Sequence, residues 1–131
     1  MDDQMLALLR QAMERAYAPY SGFAVGAVVR GASGSLYAGC NVENAAYPQG
    51  QCAEASAIGV MIAGGGRRIV AIAVAGPEGK PCPPCGGCRQ RIREFAGPDT
   101  PILLCNGEGG STSYRLADLL PNSFGPDMLS A

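Results

Sequence analysis

The sequence contains no histidine. That absence excludes Ser–His–Asp and Cys–His nucleophile pairs and every His-containing metal site. Proton transfer near neutral pH then falls to a carboxylate, Cys, Lys or Tyr of shifted pKa, or to a metal-bound water. Long apolar runs are missing too: none approaches the ~20 residues that span a bilayer. The opening "MDDQMLALLRQAMERA" lacks the basic start and clean apolar block of a secretory signal. The expectation is a cytoplasmic protein without a membrane partner, in a compartment where stable disulfides are rare. Nor is there a basic excess. Ten basic residues against eleven acidic give a net charge of −1, and the basic ones are scattered rather than gathered into a phosphate-neutralising stripe. The densest cluster, "RQRIRE" (Arg89 to Glu94), reads as a solvated helix face. These features point away from nucleic acid and toward a small uncharged partner. Internal repeats and low-complexity tracts are absent as well.

What remains is one domain, residues 1–131, long enough to bury a hydrophobic core unaided. Apolar residues at Leu6, Leu9, Met13 and Ala16 mark a helical stripe between Gln4 and Tyr17. "FAVGAVVR" alternates at Phe23, Val25, Ala27 and Val29, and "LYAGC" reads as the return strand of a hairpin. "NVENAAYPQG" is a polar loop, and "CAEASAIGVMIAG" a buried helix stopped by Gly64 to Gly66. "RIVAIAVAG" suits an interior strand, "CGGCRQRIREFAG" a helix ending at Gly97-Pro98, and "PILLCN" a further strand. "GEGGS" turns, "YRLADLLP" forms a helical turn, and "NSFGPDMLSA" is a tail. Strands alternating with helices predict an α/β layered domain with a mixed sheet.

The six cysteines are unevenly placed. Cys52 opens one predicted helix, and Cys85 and Cys88 open another. Helix N-termini carry partial positive charge and unpaired N–H groups, which stabilise thiolates. Two such ends facing each other would hold a soft cation on three sulfurs, and zinc suits that donor set. Three protein ligands leave the fourth position open, as a catalytic site requires. Glu54 lies two residues after Cys52, on the same first turn, where a carboxylate would reach a metal-activated water. Cys82 is separated from Cys85 by Pro83 and Pro84, which hold that stretch extended, so the 85/88 pair is favoured as ligands. Gly86 and Gly87 between them let the backbone bend around a metal. Cys40 and Cys105 end predicted strands and read as buried, inert thiols. Two other readings stay open from residues alone: a closed structural zinc module using Cys82 or another thiol as fourth ligand, and a thioredoxin-like dithiol at Cys85–Cys88.

The pattern C-x-E … P-C-x-x-C matches the zinc deaminase signature, with Cys in place of its first His. The chain resembles the small, homotetrameric cytidine deaminases over nearly its whole length. The resemblance rests on "YAPYSGFAVGA" (Tyr17 to Ala27), "GCNVENAAYPQGQCAE" (Gly39 to Glu54), "PCGGCRQ" (Pro84 to Gln90) and "LLPNSFGP" (Leu119 to Pro126). It implies a three-layer α/β/α sandwich with a mixed β-sheet, and hydrolytic deamination of cytidine and deoxycytidine in pyrimidine salvage. It further implies one Zn²⁺ per subunit on Cys52, Cys85 and Cys88, with Glu54 as the catalytic proton shuttle. Asn41 and Glu43 would hold the ribose, with Val42 between them. Phe23 would lie against the base and the Ala53 backbone would fix the pyrimidine ring. Residues matching Ala45, Tyr47 and Phe124 would reach a neighbouring subunit's site. The blasticidin S deaminases share C-A-E and P-C-x-x-C but lack the N-V-E-N-A-x-Y-P loop, which here favours a nucleoside. Many family members carry Arg directly after C-A-E to offset the charge of three thiolates; here the residue is Ala55. The two helix ends or Arg89 are the expected substitutes.

Overall fold

A computed structural model of the chain describes residues 1–106 and 109–129. Helix α1 (Asp3–Glu14) starts where Asp2, in extended conformation, accepts the Met5 N–H on Oδ1 at 2.8 Å. That side chain satisfies one of the donors a helix start leaves unpaired. The buried stripe of α1 is Met5, Leu9 and Ala12, about one position round from the stripe the periodicity suggests. Ala16 lies beyond the helix, because the chain leaves at Arg15 to let the Tyr17 N–H donate to the Asn41 carbonyl at 3.0 Å.

Strands β1 (Gly26–Gly31) and β2 (Leu36–Cys40) form the expected hairpin, paired from Gly26 opposite Cys40 to Arg30 opposite Leu36. However, β1 opens only at Gly26, after Phe23 and Val25, and is buried on both faces rather than alternating. Then follow α2 (Ala53–Ala63), β3 (Ile69–Ala75), α3 (Gly86–Phe95), β4 (Pro101–Cys105), β5 (Ser111–Arg115) and the short α4 (Leu116–Leu119). The sheet runs β2-β1-β3-β4-β5. Only β3 and β4 are parallel; the other neighbours are antiparallel.

Successive side chains of a strand point to opposite faces, and here both faces are covered. Ala27 and Val29 join Ala53, Ala57, Met61 and Ile92 in one apolar cluster, under α2 and α3. Val28 joins Met5, Leu9, Ala73 and Cys105 in the other, under α1. The arrangement is a three-layer α/β/α sandwich with a mixed sheet. Two glycines permit the close approach of the helices. A Cβ at Gly26 would stand 2.7 Å from the Leu9 carbonyl oxygen, and one at Gly39 would collide with the Ala57 nitrogen. Gly39 thereby seats the first two turns of α2 flat on the hairpin.

The strand β5 has no counterpart in the sequence reading. Its residues "STSYR" are polar, four of the five are exposed, and it pairs with β4 alone at the sheet's edge. An edge strand with no buried face carries no alternation to detect. The turn expected over 107–111 begins with residues 107 and 108, which lie outside the described residues, as do the last two of the tail.

Candidate metal centre and substrate cleft

Cys52 and Cys85 each stand in extended conformation at the N-cap of a helix, α2 and α3 respectively. Their carbonyls open the helical bonding, accepting the N–H groups of Ser56 at 3.1 Å and Arg89 at 3.0 Å. Cys88 follows on the first turn of α3 and is completely buried. The packing of α2 beside α3 on one sheet face thus brings three sulfurs from two segments to within 4.8 Å of one another. Cys82 is half-buried and stands outside that trio. Of the two thiols read as buried, Cys105 is buried in the α1-side cluster, whereas Cys40 is only half-buried. Gly86 and Gly87 belong to α3 itself, and neither takes a positive φ. Their left-handed freedom is therefore unused; what Gly87 supplies is room, since a Cβ there would stand 3.2 Å from Arg91 Nη1.

The electrostatics of the trio are those of crowded thiols. Burial pushes the Cys52 thiol up against an opposing hydrogen bond from Cys88, and pushes Cys88 up further, where the Glu54 carboxylate and the neighbouring thiols add to it. Cys85 moves the other way. The Cys88 backbone N–H at the helix start holds it below the ordinary thiol value, assisted by its neighbouring thiols and the Gly87 N–H. Three soft sulfur donors this close together are a set that a divalent cation completes, and zinc fits them. Glu54, only 4 % exposed, sits on the first turn of α2; burial raises its pKa, and the Arg91 charge works against that rise.

Beside the sulfurs opens a cleft of about 580 Å³. Phe23, Asn41, Glu43, Cys52, Ala53 and Glu54 all line it, as does Cys82. Asn41 bridges its wall, with Oδ1 accepting the Val25 N–H at 2.8 Å and Nδ2 donating to the Phe23 carbonyl at 2.7 Å. Glu43 Oε1 accepts the N–H groups of Tyr20 at 2.9 Å and Ser21 at 3.1 Å, and Oε2 accepts the Ser21 hydroxyl. The Ser21 hydroxyl, followed by its backbone N–H, holds the Glu43 carboxyl below its usual value. An adjoining cleft of about 530 Å³ shares Ser21, Glu43 and Cys52 and is lined further by Val42 and Tyr47. Tyr47 stacks edge-on against Tyr20 with ring centroids 5.9 Å apart. Ala53 is wholly buried, and as the first helical residue its N–H has no partner within α2.

Two of the site residues suggested by the sequence stay apart from the cleft in this chain. Ala45 is exposed on the loop, and Phe124 is exposed on the tail; neither lines either cleft. The tail is nevertheless fastened. Gln90 Nε2 donates to the Phe124 carbonyl at 2.8 Å, and Arg93 reaches the Ser123 hydroxyl at 2.9 Å and Asp127 at 2.7 Å. The "RQRIRE" segment is thus only in part a solvated face: Gln90, Arg91 and Glu94 are exposed, while Arg89 and Arg93 are half-buried. Arg89 donates to the carbonyls of Pro84 and Leu119, both at 2.8 Å, and Arg91 Nη1 lies 3.8 Å from Cys88 Sγ. Sequence reasoning missed Ser21 and Arg91. The i, i+3 spacing of Cys88 and Arg91 on a helix was the signal for the second; Ser21 pairs with a residue too distant in sequence to leave one.

Residues 1–104 match the family model described as the cytidine and deoxycytidylate deaminase zinc-binding region. The chain is 40% identical over 128 residues to the cytidine deaminase of Sporosarcina psychrophila, covering 98% of this chain and 94% of that one. Against the cytidine deaminase of Mycobacterium tuberculosis it is 40% identical over 119 residues, 91% of this chain and 86% of the relative. The crystal structure of cytidine deaminase from Burkholderia pseudomallei superposes with a TM-score of 0.86 at 40% identity, over 95% of this chain and 100% of that one. With its zinc-type thiol trio, buried glutamate and α/β/α sheet, the chain belongs to the cytidine and deoxycytidylate deaminase family.

Proposed function

We propose that this chain hydrolyses cytidine and deoxycytidine to uridine and deoxyuridine with release of ammonia, in pyrimidine salvage in the cytoplasm. One observation carries the reading: three thiols converge at two helix starts, with a buried carboxylate on the same turn as one of them. Cys52, Cys85 and Cys88 hold one Zn²⁺ per subunit. When bound, the zinc supplies Lewis acidity that brings a water's pKa toward neutrality. Glu54 takes a proton from the attacking water and delivers it to N3 of the base as the oxygen attacks C4. It then carries a proton to the 4-amino group, which departs as ammonia. Burial suits Glu54 to this task, because a raised pKa brings a carboxylate closer to the working pH.

The remaining residues bind and orient. Glu43, its orientation fixed by Ser21 and Tyr20, accepts a ribose hydroxyl, and Asn41 holds the wall to which Phe23 belongs. Phe23 packs on the base, and the free Ala53 N–H fixes the pyrimidine ring. Val42 borders the sugar. The whole chain, 1–131, works as a single catalytic domain within a homotetramer, and Ala45, Tyr47 and Phe124 of one subunit complete the site of another. The structural-module reading needs a fourth thiol, Cys82 or another, and among the described residues no fourth cysteine joins the sulfur trio. Ultraviolet monitoring of cytidine with purified protein, before and after zinc removal, tests the reading. The absorbance of cytidine converts to that of uridine only with zinc present; stoichiometric zinc without conversion would leave a structural module.

A further inference from the structure

We propose that Arg91 is the positioning residue that offsets the thiolate charge at the metal centre, a proposal that rests on the zinc-site reading above. Three thiolates on a divalent cation leave the centre with net negative charge, and the buried one, Cys88, is solvated poorly by its surroundings. Two helix N-termini supply roughly half an elementary charge each, spread over N–H groups rather than aimed at one atom. The first turn of α2 adds no cation, since position 55 is alanine. The cation has to come from elsewhere.

On α3 three arginines are in range, and their contacts separate them. Arg89 spends its guanidinium on the Pro84 and Leu119 carbonyls. Arg93 is turned to the tail, at Ser123 and Asp127. Arg91 alone among the described residues places a guanidinium nitrogen at a trio sulfur, Nη1 standing 3.8 Å from Cys88 Sγ. The geometry follows from the helix: residues three apart share a face, so the side chain folds back one turn from Arg91 to Cys88. It passes over Gly87, where a Cβ would crowd Nη1 at 3.2 Å. Arg91 therefore holds its charge against the Cys88 sulfur, one helical turn away, without touching the reacting atoms. Outer partners of metal ligands typically carry about 10–100-fold in metal affinity or activity.

The test compares zinc-loaded wild type with Arg91→Met, which keeps the stem and removes the charge, and Arg91→Lys, which keeps the charge on a stem of similar reach. Competition with a chromogenic chelator reads zinc affinity, and the cobalt-substituted proteins report the thiolate-to-metal absorption bands. Arg91→Met is expected to hold zinc about 10–100-fold more weakly and to shift those bands, while Arg91→Lys retains most of the affinity. Equal affinity and unchanged bands in Arg91→Met would overturn the proposal, and so would equal losses in both variants, since packing rather than charge would then be at issue. A wild-type protein that takes up no stoichiometric zinc would instead overturn the metal-site reading itself.

Discussion

Cys88 and Glu54 are 0% and 4% exposed, whereas Phe23, Phe124 and Tyr47 are 49%, 57% and 75% exposed. The metal side of the cleft is finished by this chain's own packing: two helices on one sheet face, each starting at a cysteine. The aromatic side is unfinished. Its rings stand open where a soluble chain ordinarily buries aromatic area, and Phe124 lines neither cleft. The contrast sets a buried glutamate and a buried thiol, Cys88, against a rim of exposed rings, and the proposed sharing of sites between subunits would cover that rim.

Perturbing the metal side is expected to produce the largest effects. Cys88→Ser should lose zinc and activity together and lower stability, since a ligand at 100 times its Kd contributes about 2.7 kcal/mol to the folded state. Metal analysis beside thermal melts checks this; a variant with full zinc content would place Cys88 outside the ligand set. Glu54→Ala comes next. It should leave metal content intact while turnover falls by at least the ~10²–10⁴-fold that general acid–base catalysis supplies. Near-normal turnover in that variant would remove the proton-shuttle role.

The rim should respond more mildly and in binding. Stacking a base on an aromatic ring is worth about 1–3 kcal/mol, so Phe124→Ala should raise KM by roughly ten- to a hundredfold with zinc unchanged. A pure loss of kcat would mean that the tail acts on chemistry instead. The smallest effect belongs to Cys82→Ser. Cys82 lines the cleft but stands outside the sulfur trio, so zinc content and turnover should stay close to wild type. Loss of zinc there would erase the distinction between the trio and its neighbour.

The two sides also differed in how well the sequence disclosed them. Cys52, Glu54, Cys85 and Cys88 were legible because helix starts, close spacing and residue chemistry all agree locally. The interior strands β1 and β3 were legible from their apolar residues, and Gly64 stopped α2 where expected. β5 was not, since a polar strand on a sheet edge owes its form to pairing with β4 rather than to its own pattern. The α1 stripe came out one position off because Met5 is the residue turned inward, a choice made by the sheet beneath it. Arg89 and Arg93 of α3 were misread for a similar reason. Their partners, among them Leu119, Ser123 and Asp127, come from a segment some thirty residues on, and charge alone does not announce a tertiary contact.

Subunit mixing tests most directly the claim that each working site joins the buried half of one chain to the rim of another. Glu54→Ala and Phe124→Ala chains, each impaired alone, are co-expressed and the mixed oligomers isolated. Some sites then pair an intact Glu54 with an intact Phe124 of a neighbour, so cytidine deamination should exceed the sum of the two parents. Mixed oligomers of confirmed composition that never exceed that sum would mean that each chain completes its own site, and the division of labour described here would be wrong.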